Sequence, residues 1–333
     1  MNLTFLGSGS FGTALSIIFS RYDFNIKMYD RNINVVDSIN VHRRNSKYLK
    51  NLIIPEDVVA TTNIDEAVKD SDILFFSVPS HAVREISNKI KGKIKDNCII
   101  VCLSKGIESK TYKRMSEILQ ETFKNNSIVV LSGPSHAEEI ALKKPTALVA
   151  TSLNMEAAGK IQDILSNDVL RIYTNSDIIG VELGGAMKNI IALVIGIVVG
   201  RGYGDNSSAA VITRALHDLI RMGVCLGGKK ETFFGLSGIG DLIVTCLSDH
   251  SRNRRCGLLI GKGMKLDEAI KEIGMVVEGV NACKIFYEIA KEKNITNIPI
   301  IEALYEVLFN DKDVTSIENA LMFRDKKDEV LKI

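Results

Sequence analysis

The stretch "LTFLGSGSFGTALSIIF", residues 3–19, decides the fold. An apolar run of strand character breaks at Gly7, and apolar residues resume after Gly12 with helical period. Gly7, Gly9 and Gly12 stand between them in G-x-G-x-x-G spacing. In a strand-turn-helix setting the first glycine permits a tight turn, the second lets backbone approach a pyrophosphate, and the third allows helix and strand to pack closely. The start of the helix then turns free N–H groups and a positive dipole end toward the phosphates. The pattern predicts a dinucleotide site on the loop formed by Gly7, Gly9, Ser10, Phe11 and Gly12. The next apolar run, "FNIKMYDRN", ends in Asp30 and Arg31. An acidic residue at that point suits the 2′-hydroxyl of NAD, and a neighbouring arginine suits the 2′-phosphate of NADP, so the preference between the two cofactors stays open.

Outward from this stretch the pattern continues. Up to about residue 175, the runs "LTFLG", "NIKMYD", "DILFFSV", "CIIVCLS", "IVVLSG", "TALVAT" and "VLRIYT" alternate with helical segments. Such alternation predicts a parallel sheet with helices on both faces, a doubly wound (Rossmann) α/β domain over residues 1–176. Beyond it the segments lengthen, as in "DIIGVELGGAMKNIIALVIGIVV", and no proline occurs between Pro145 and Pro299. Long uninterrupted helices follow, and an all-α C-terminal domain is expected over 177–333.

Composition removes several function classes. With 42 Lys and Arg against 40 Asp and Glu, overall charge supports neither nucleic acid nor an anionic membrane as partner. The uncharged run 190–200 is too short to span a bilayer and reads as a buried core helix. The N-terminus lacks a basic region ahead of its apolar residues, so a cytoplasmic protein is expected. Six cysteines include no C-x-x-C, and five histidines no H-x-x-x-H, so no metal is expected.

The motifs "GSGSFGTAL", "SVPSHAVRE", "LSKGIE", "LSGPSHAEEI", "GVELGGAMKNIIAL", "GDNSSAAVITR", "GLSGIGDLIVTC", "HSRNRRCG" and "VVEGV", in that order, span residues 3 to about 285. Together they resemble the bacterial NAD(P)-dependent glycerol-3-phosphate dehydrogenase family. Tyr29 and Phe11 depart from it where tryptophan is common, and Ser208 where lysine is frequent. The resemblance implies interconversion of dihydroxyacetone phosphate and sn-glycerol 3-phosphate with NAD(P)H, supplying glycerol 3-phosphate for phospholipid synthesis. It makes Lys188 the general acid and base, and Lys105 and Asp241 its companions in the catalytic set. It maps substrate contacts onto Lys105, Gly133, Ser135, Lys188, Asp241, Ser251, Arg252 and Asn253. Cofactor contacts map onto Arg31, Lys105, Ala137, Arg252, Val276 and Glu278, besides the glycine loop.

The residues themselves support parts of this. Lys188 heads the apolar run, and apolar surroundings disfavour a charged lysine and lower its pKa toward a range useful for proton transfer. Asn189, adjacent, offers an amide to orient it. "SRNRR" at 251–255 precedes a helical "GLLIG", so Arg252 can cooperate with a helix start on a phosphate. A dehydrogenase of another small phosphorylated or hydroxy-acid substrate, or a non-catalytic dinucleotide sensor, shares the glycine loop but not this full motif set. Sequence leaves the oligomeric state open, a homodimer included.

Overall fold

The computed structural model of the chain describes residues 1–322. Its contacts form two compact units: Met1–Glu108 with Lys113–Ile178, and Ser109–Tyr112 with Ile179 onward. Residues 109–112 thus group with the second unit although they lie in the first half of the chain.

The first unit is built on one eight-stranded sheet: β1 (Asn2–Leu6), β2 (Asn25–Tyr29), β3 (Val58–Thr61), β4 (Ile73–Phe76), β5 (Ile99–Cys102), β6 (Ile128–Ser132), β7 (Thr146–Ser152) and β8 (Leu170–Asn175). Their order is β3-β2-β1-β4-β5-β6-β7-β8, so the winding reverses between β1 and β4. At such a switch point the strands' carboxyl ends open a crevice for ligand. Gly7 leaves β1 there and Ser77 leaves β4. Strands β4 and β6 are buried throughout, as strands covered on both faces must be. Phe5 and Phe75 stack across β1 and β4 with ring centroids 4.5 Å apart.

Two features correct the sequence expectation. Strand β3 joins the sheet beyond β2, at an edge where Val59 is exposed. The sheet is also not wholly parallel, because β7 runs antiparallel to β6. The connection between them contains a single five-residue helix, Ala137–Ala141. At about 1.5 Å per residue that helix is far shorter than the strand it would have to retrace for a parallel crossover. The next link carries an 11-residue helix, Met155–Leu165, and β8 is parallel to β7 again.

Among the described residues the second unit is helical. Its central helix, Ile178–Gly200, is 23 residues long, and by length and composition it could cross a membrane. The uncharged run 190–200 is only its second half. Residues 180–198 are buried within the protein, Glu182 and Lys188 included, which makes it a core helix. The helix Arg252–Gly261 lies against it backbone to backbone. A Cβ on Gly257 would run into the carbonyl of Leu193, and one on Gly196 into the carbonyl of Arg254. Buried Asp218 accepts the N–H of Ile300 at 2.8 Å and caps the helix Pro299–Phe309.

Two glycine-to-alanine changes should therefore act in opposite directions. Gly257→Ala forces backbones apart and should cost about 2–3 kcal/mol in chemical denaturation, as overpacking does. Gly159, in the helix Met155–Leu165, faces nothing within 4 Å, so Gly159→Ala should gain about 0.5–1 kcal/mol from helix propensity. Equal responses would contradict the packing described.

Candidate active site

The three fingerprint glycines do three different things. Gly7 has φ +100°, a left-handed conformation, and a Cβ there would lie 2.9 Å from the Val78 side chain. Gly12 meets Ser77 Oγ at 2.7 Å and the Gly7 carbonyl at 2.8 Å from its would-be Cβ. Gly9 is different: a Cβ would meet only the Ser77 carbonyl, at 3.7 Å. The open face therefore belongs to the second glycine, where a pyrophosphate needs it, just ahead of the helix Ser10–Phe19. Ser10 and Phe11 begin that helix half-buried. These residues fit a dinucleotide.

A buried scaffold that the sequence did not announce holds the loop. Asn45, with no exposed surface, donates to the Ser8 carbonyl at 2.7 Å and to Thr13 Oγ1 at 2.9 Å. Its Oδ1 accepts the N–H of Tyr48 at 3.2 Å. Set among charges in "HRRNSKYLK", it has the sequence surroundings of a surface loop residue. Ser8 Oγ donates to Asp30 Oδ2, so the first and second strand ends are tied together. Arg31 is exposed beside them.

Further along the same sheet, Lys105 follows β5 and Gly133 follows β6. Lys105 Nζ donates to the Gly133 carbonyl at 3.2 Å, and Ser135 Oγ donates to the same oxygen at 2.9 Å. Ala137 begins the short helix beyond, buried. Three of the expected residues, 105, 133 and 135, thus meet at one carbonyl.

In the second unit Lys188 lies mid-helix, not at a helix start, and is 8 % exposed. Its ammonium meets more than hydrocarbon. Nζ donates to Asp241 Oδ1 and, at 2.9 Å, to Thr245 Oγ1. The surroundings expected to be apolar thus include an opposite charge and a hydroxyl. Asp241 opens the helix Asp241–Leu247 and is completely buried, so it neither caps nor turns the chain at the surface. Thr245, one helical turn on, donates its own hydroxyl proton to the Asp241 carbonyl at 2.6 Å. Its lone pair is thereby turned to the lysine. The i, i+4 spacing in "DLIVT" was the available signal for Thr245. Cys246 stays a neutral thiol beside the pair, pushed up to about 12 by burial and by Asp241 against the opposing charges of Lys188 and Arg254.

Asn189 does not orient Lys188. Its Oδ1 accepts from Asn253 Nδ2 at 2.9 Å, and Asn253 Oδ1 accepts the N–H of Gly279 at 2.8 Å. One buried amide thus joins the central helix, the helix Arg252–Gly261 and the first turn of the helix Glu278–Glu292. Ser251 is the N-cap of the middle helix, accepting from the N–H of Arg254 at 3.3 Å. Arg252 follows, exposed at the helix start, where an anion gains from both dipole and guanidinium. Glu278 opens its helix half-buried, and Val276 is exposed just before it.

Comparisons with known proteins agree along the whole chain. Residues 2–158 match the N-terminal part, and residues 177–319 the C-terminal part, of the NAD-dependent glycerol-3-phosphate dehydrogenase family. A Clostridium botulinum glycerol-3-phosphate dehydrogenase [NAD(P)+] is 52% identical over 328 residues, covering 98% of this chain and 99% of the relative. One from a Thermoanaerobacter species is 50% identical, covering 99% of each. The crystal structure of glycerol-3-phosphate dehydrogenase from Coxiella burnetii superposes with a TM-score of 0.92 at 33% identity, covering 96% of this chain and 98% of that one. This chain belongs to the NAD-dependent glycerol-3-phosphate dehydrogenase family.

Proposed function

We propose that the protein interconverts dihydroxyacetone phosphate and sn-glycerol 3-phosphate with NAD(P)H, in the cytoplasm, supplying the glycerol phosphate of phospholipids. The observation that carries the chemistry is the buried ammonium of Lys188 held between Asp241 and Thr245. Among the described residues no cysteine is in a disulfide, which suits a reducing compartment.

A bound nicotinamide supplies the hydride for reduction of the carbonyl and takes it back in oxidation. The protein's own part is the proton and the pose. Lys188 gives a proton to the carbonyl oxygen as the carbon is reduced, and recovers it from the hydroxyl in the reverse direction. Asp241 keeps that ammonium in place, and Thr245 fixes its direction. Arg252, at the start of its helix, takes the phosphoryl group, and Asn253 holds that helix start in register. Lys105, Gly133 and Ser135 form the substrate contacts contributed from the strand ends.

A spectrophotometric assay at 340 nm with dihydroxyacetone phosphate and each cofactor tests the reading directly. Lys188→Met should lower kcat by at least about 10²-fold while NADH binding survives. Near wild-type turnover across the pH range would remove the acid/base assignment.

Arg31→Ala should weaken NADPH selectively, because a 2′-phosphate loses a charge-assisted partner and a 2′-hydroxyl loses little. KM values for the two cofactors decide this, and an equal rise in both would place Arg31 away from the ribose.

The phosphate is the third point. A site built around a polar group rejects analogues lacking it by roughly 10⁴ or more, so dihydroxyacetone should be a very poor substrate. Arg252→Ala should erase most of that discrimination in kcat/KM, and Arg252→Lys should restore only part, since an ammonium lacks the bidentate fork. Comparable wild-type rates on dihydroxyacetone and its phosphate would sink the proposed substrate.

A further inference from the structure

At the end of β2 stand two residues that ask for opposite cofactors. A carboxylate there accepts from the hydroxyls of a bare adenosine ribose, while a guanidinium beside it suits a 2′-phosphate. Asp30 already has donors of its own. Its Oδ2 accepts the hydroxyl proton of Ser8, and its Oδ1 accepts the N–H of Asn32 at 2.9 Å. Ser8 is not free to turn away. The residue is wholly buried, and its carbonyl is pinned by Asn45 at 2.7 Å and by Thr13 Oγ1 at 3.1 Å. Burial closes its hydroxyl to solvent. Arg31, by contrast, stands exposed.

We propose that Ser8 sets the balance between NADH and NADPH by holding Asp30. Its hydroxyl occupies one carboxylate oxygen, so the acceptor that a ribose diol would use is weakened. The same bond disperses the negative charge that a 2′-phosphate on Arg31 must approach. Ser8 is therefore a positioning residue, and Asp30 is the group that meets the ribose. The outcome is an enzyme that takes both cofactors, tilted further toward NADPH than an unengaged Asp30 would allow. This inference rests on the glycine loop being the dinucleotide site.

The test compares wild type, Ser8→Ala, Asp30→Asn and the double variant, measuring kcat/KM with NADH and with NADPH and the Kd of each cofactor by nicotinamide fluorescence. Ser8→Ala should lower the NADPH-to-NADH ratio of kcat/KM roughly tenfold, the size of one hydrogen bond to a charged group. Asp30→Asn should raise the ratio. Adding Ser8→Ala to Asp30→Asn should then leave the ratio where it is, because the serine acts through the carboxylate. A Ser8→Ala change that weakens both cofactors alike marks a merely structural serine and overturns the proposal. So does a ratio shift that persists in the double variant. Should Ser8→Ala fail to fold, Asp30→Asn decides alone, and an unchanged ratio overturns the proposal. A wild type that binds neither cofactor would overturn the loop assignment as well, and the fluorescence titration shows this before any variant is made.

Discussion

The second unit depends on one contact, the side-by-side run of the helices Ile178–Gly200 and Arg252–Gly261. Asn189 meets Asn253, the Leu193 carbonyl meets Gly257, and the Ile197 carbonyl meets Gly261, at a constant offset of 64 positions. The two helices are thus parallel and touch once per turn. Glycines at four-residue spacing let the backbones close in, as small residues do wherever helices approach most tightly. They do not choose the register by themselves. A slip of one turn would again set glycine against backbone. What it would break is the amide pair, leaving Asn189 Oδ1 and Asn253 Nδ2 without each other in a buried site, at about 1–3 kcal/mol for each stranded group. A polar rung in an apolar contact specifies register, as a single buried asparagine does in a coiled coil.

Lys188 inherits its position from that register, being the residue before Asn189. Asp241 and Thr245 reach it from a short helix that is itself held close, because Gly184 leaves room for the carbonyl of Ser237, 2.6 Å from where its Cβ would be. The stability of the fold does not explain the ion pair. Removing two charges from water costs about as much as their attraction returns, and apolar residues of similar volume would often hold such a site as well or better. Losing only one partner is another matter, since the remaining charge would be buried alone. What the pair supplies is placement: a buried ammonium aimed by two groups from one turn of one helix.

Legibility follows physical distance along the chain. The glycine loop, the strand alternation and the helical second half are readable because each is a local pattern with a local cause. Strand β3 escapes such a reading because four residues at a sheet edge, with Val59 exposed, carry little periodicity. The reversal at β7 escapes it because strand direction depends on the length of the helix in the preceding link, not on the strand's own residues. In the site, Lys188 and Asp241 are readable by resemblance, and Arg252 also by its place before a helical run. Asn45 and the true partner of Asn189 are not, since each gains its meaning from a residue 32 or 64 positions away. Thr245 is readable only as a spacing, four residues after Asp241 on one helix face, and the folded chain alone turns that face to Lys188. Asp30 and Arg31 are readable as a conflict, and the residue that bears on it, Ser8, lies inside the fingerprint itself.

Glycines show why spacing alone is weak evidence and structure strengthens it. Gly9 and Gly257 are both positions where a side chain is absent, and both sit in motifs with regular spacing. At Gly257 the vacated volume is filled by the backbone of the neighbouring helix, so the residue serves packing. At Gly9 the nearest atom to a would-be Cβ is at ordinary contact distance, and the space beyond it is left by the fold. A glycine whose space the protein fills is architecture, whereas an open one carries no meaning by itself, as Gly159 shows, and gains it only from its place between a strand end and a helix start. On that criterion the fingerprint divides internally: Gly7 and Gly12 are closed in by Val78 and Ser77, and Gly9 alone of the three stays open.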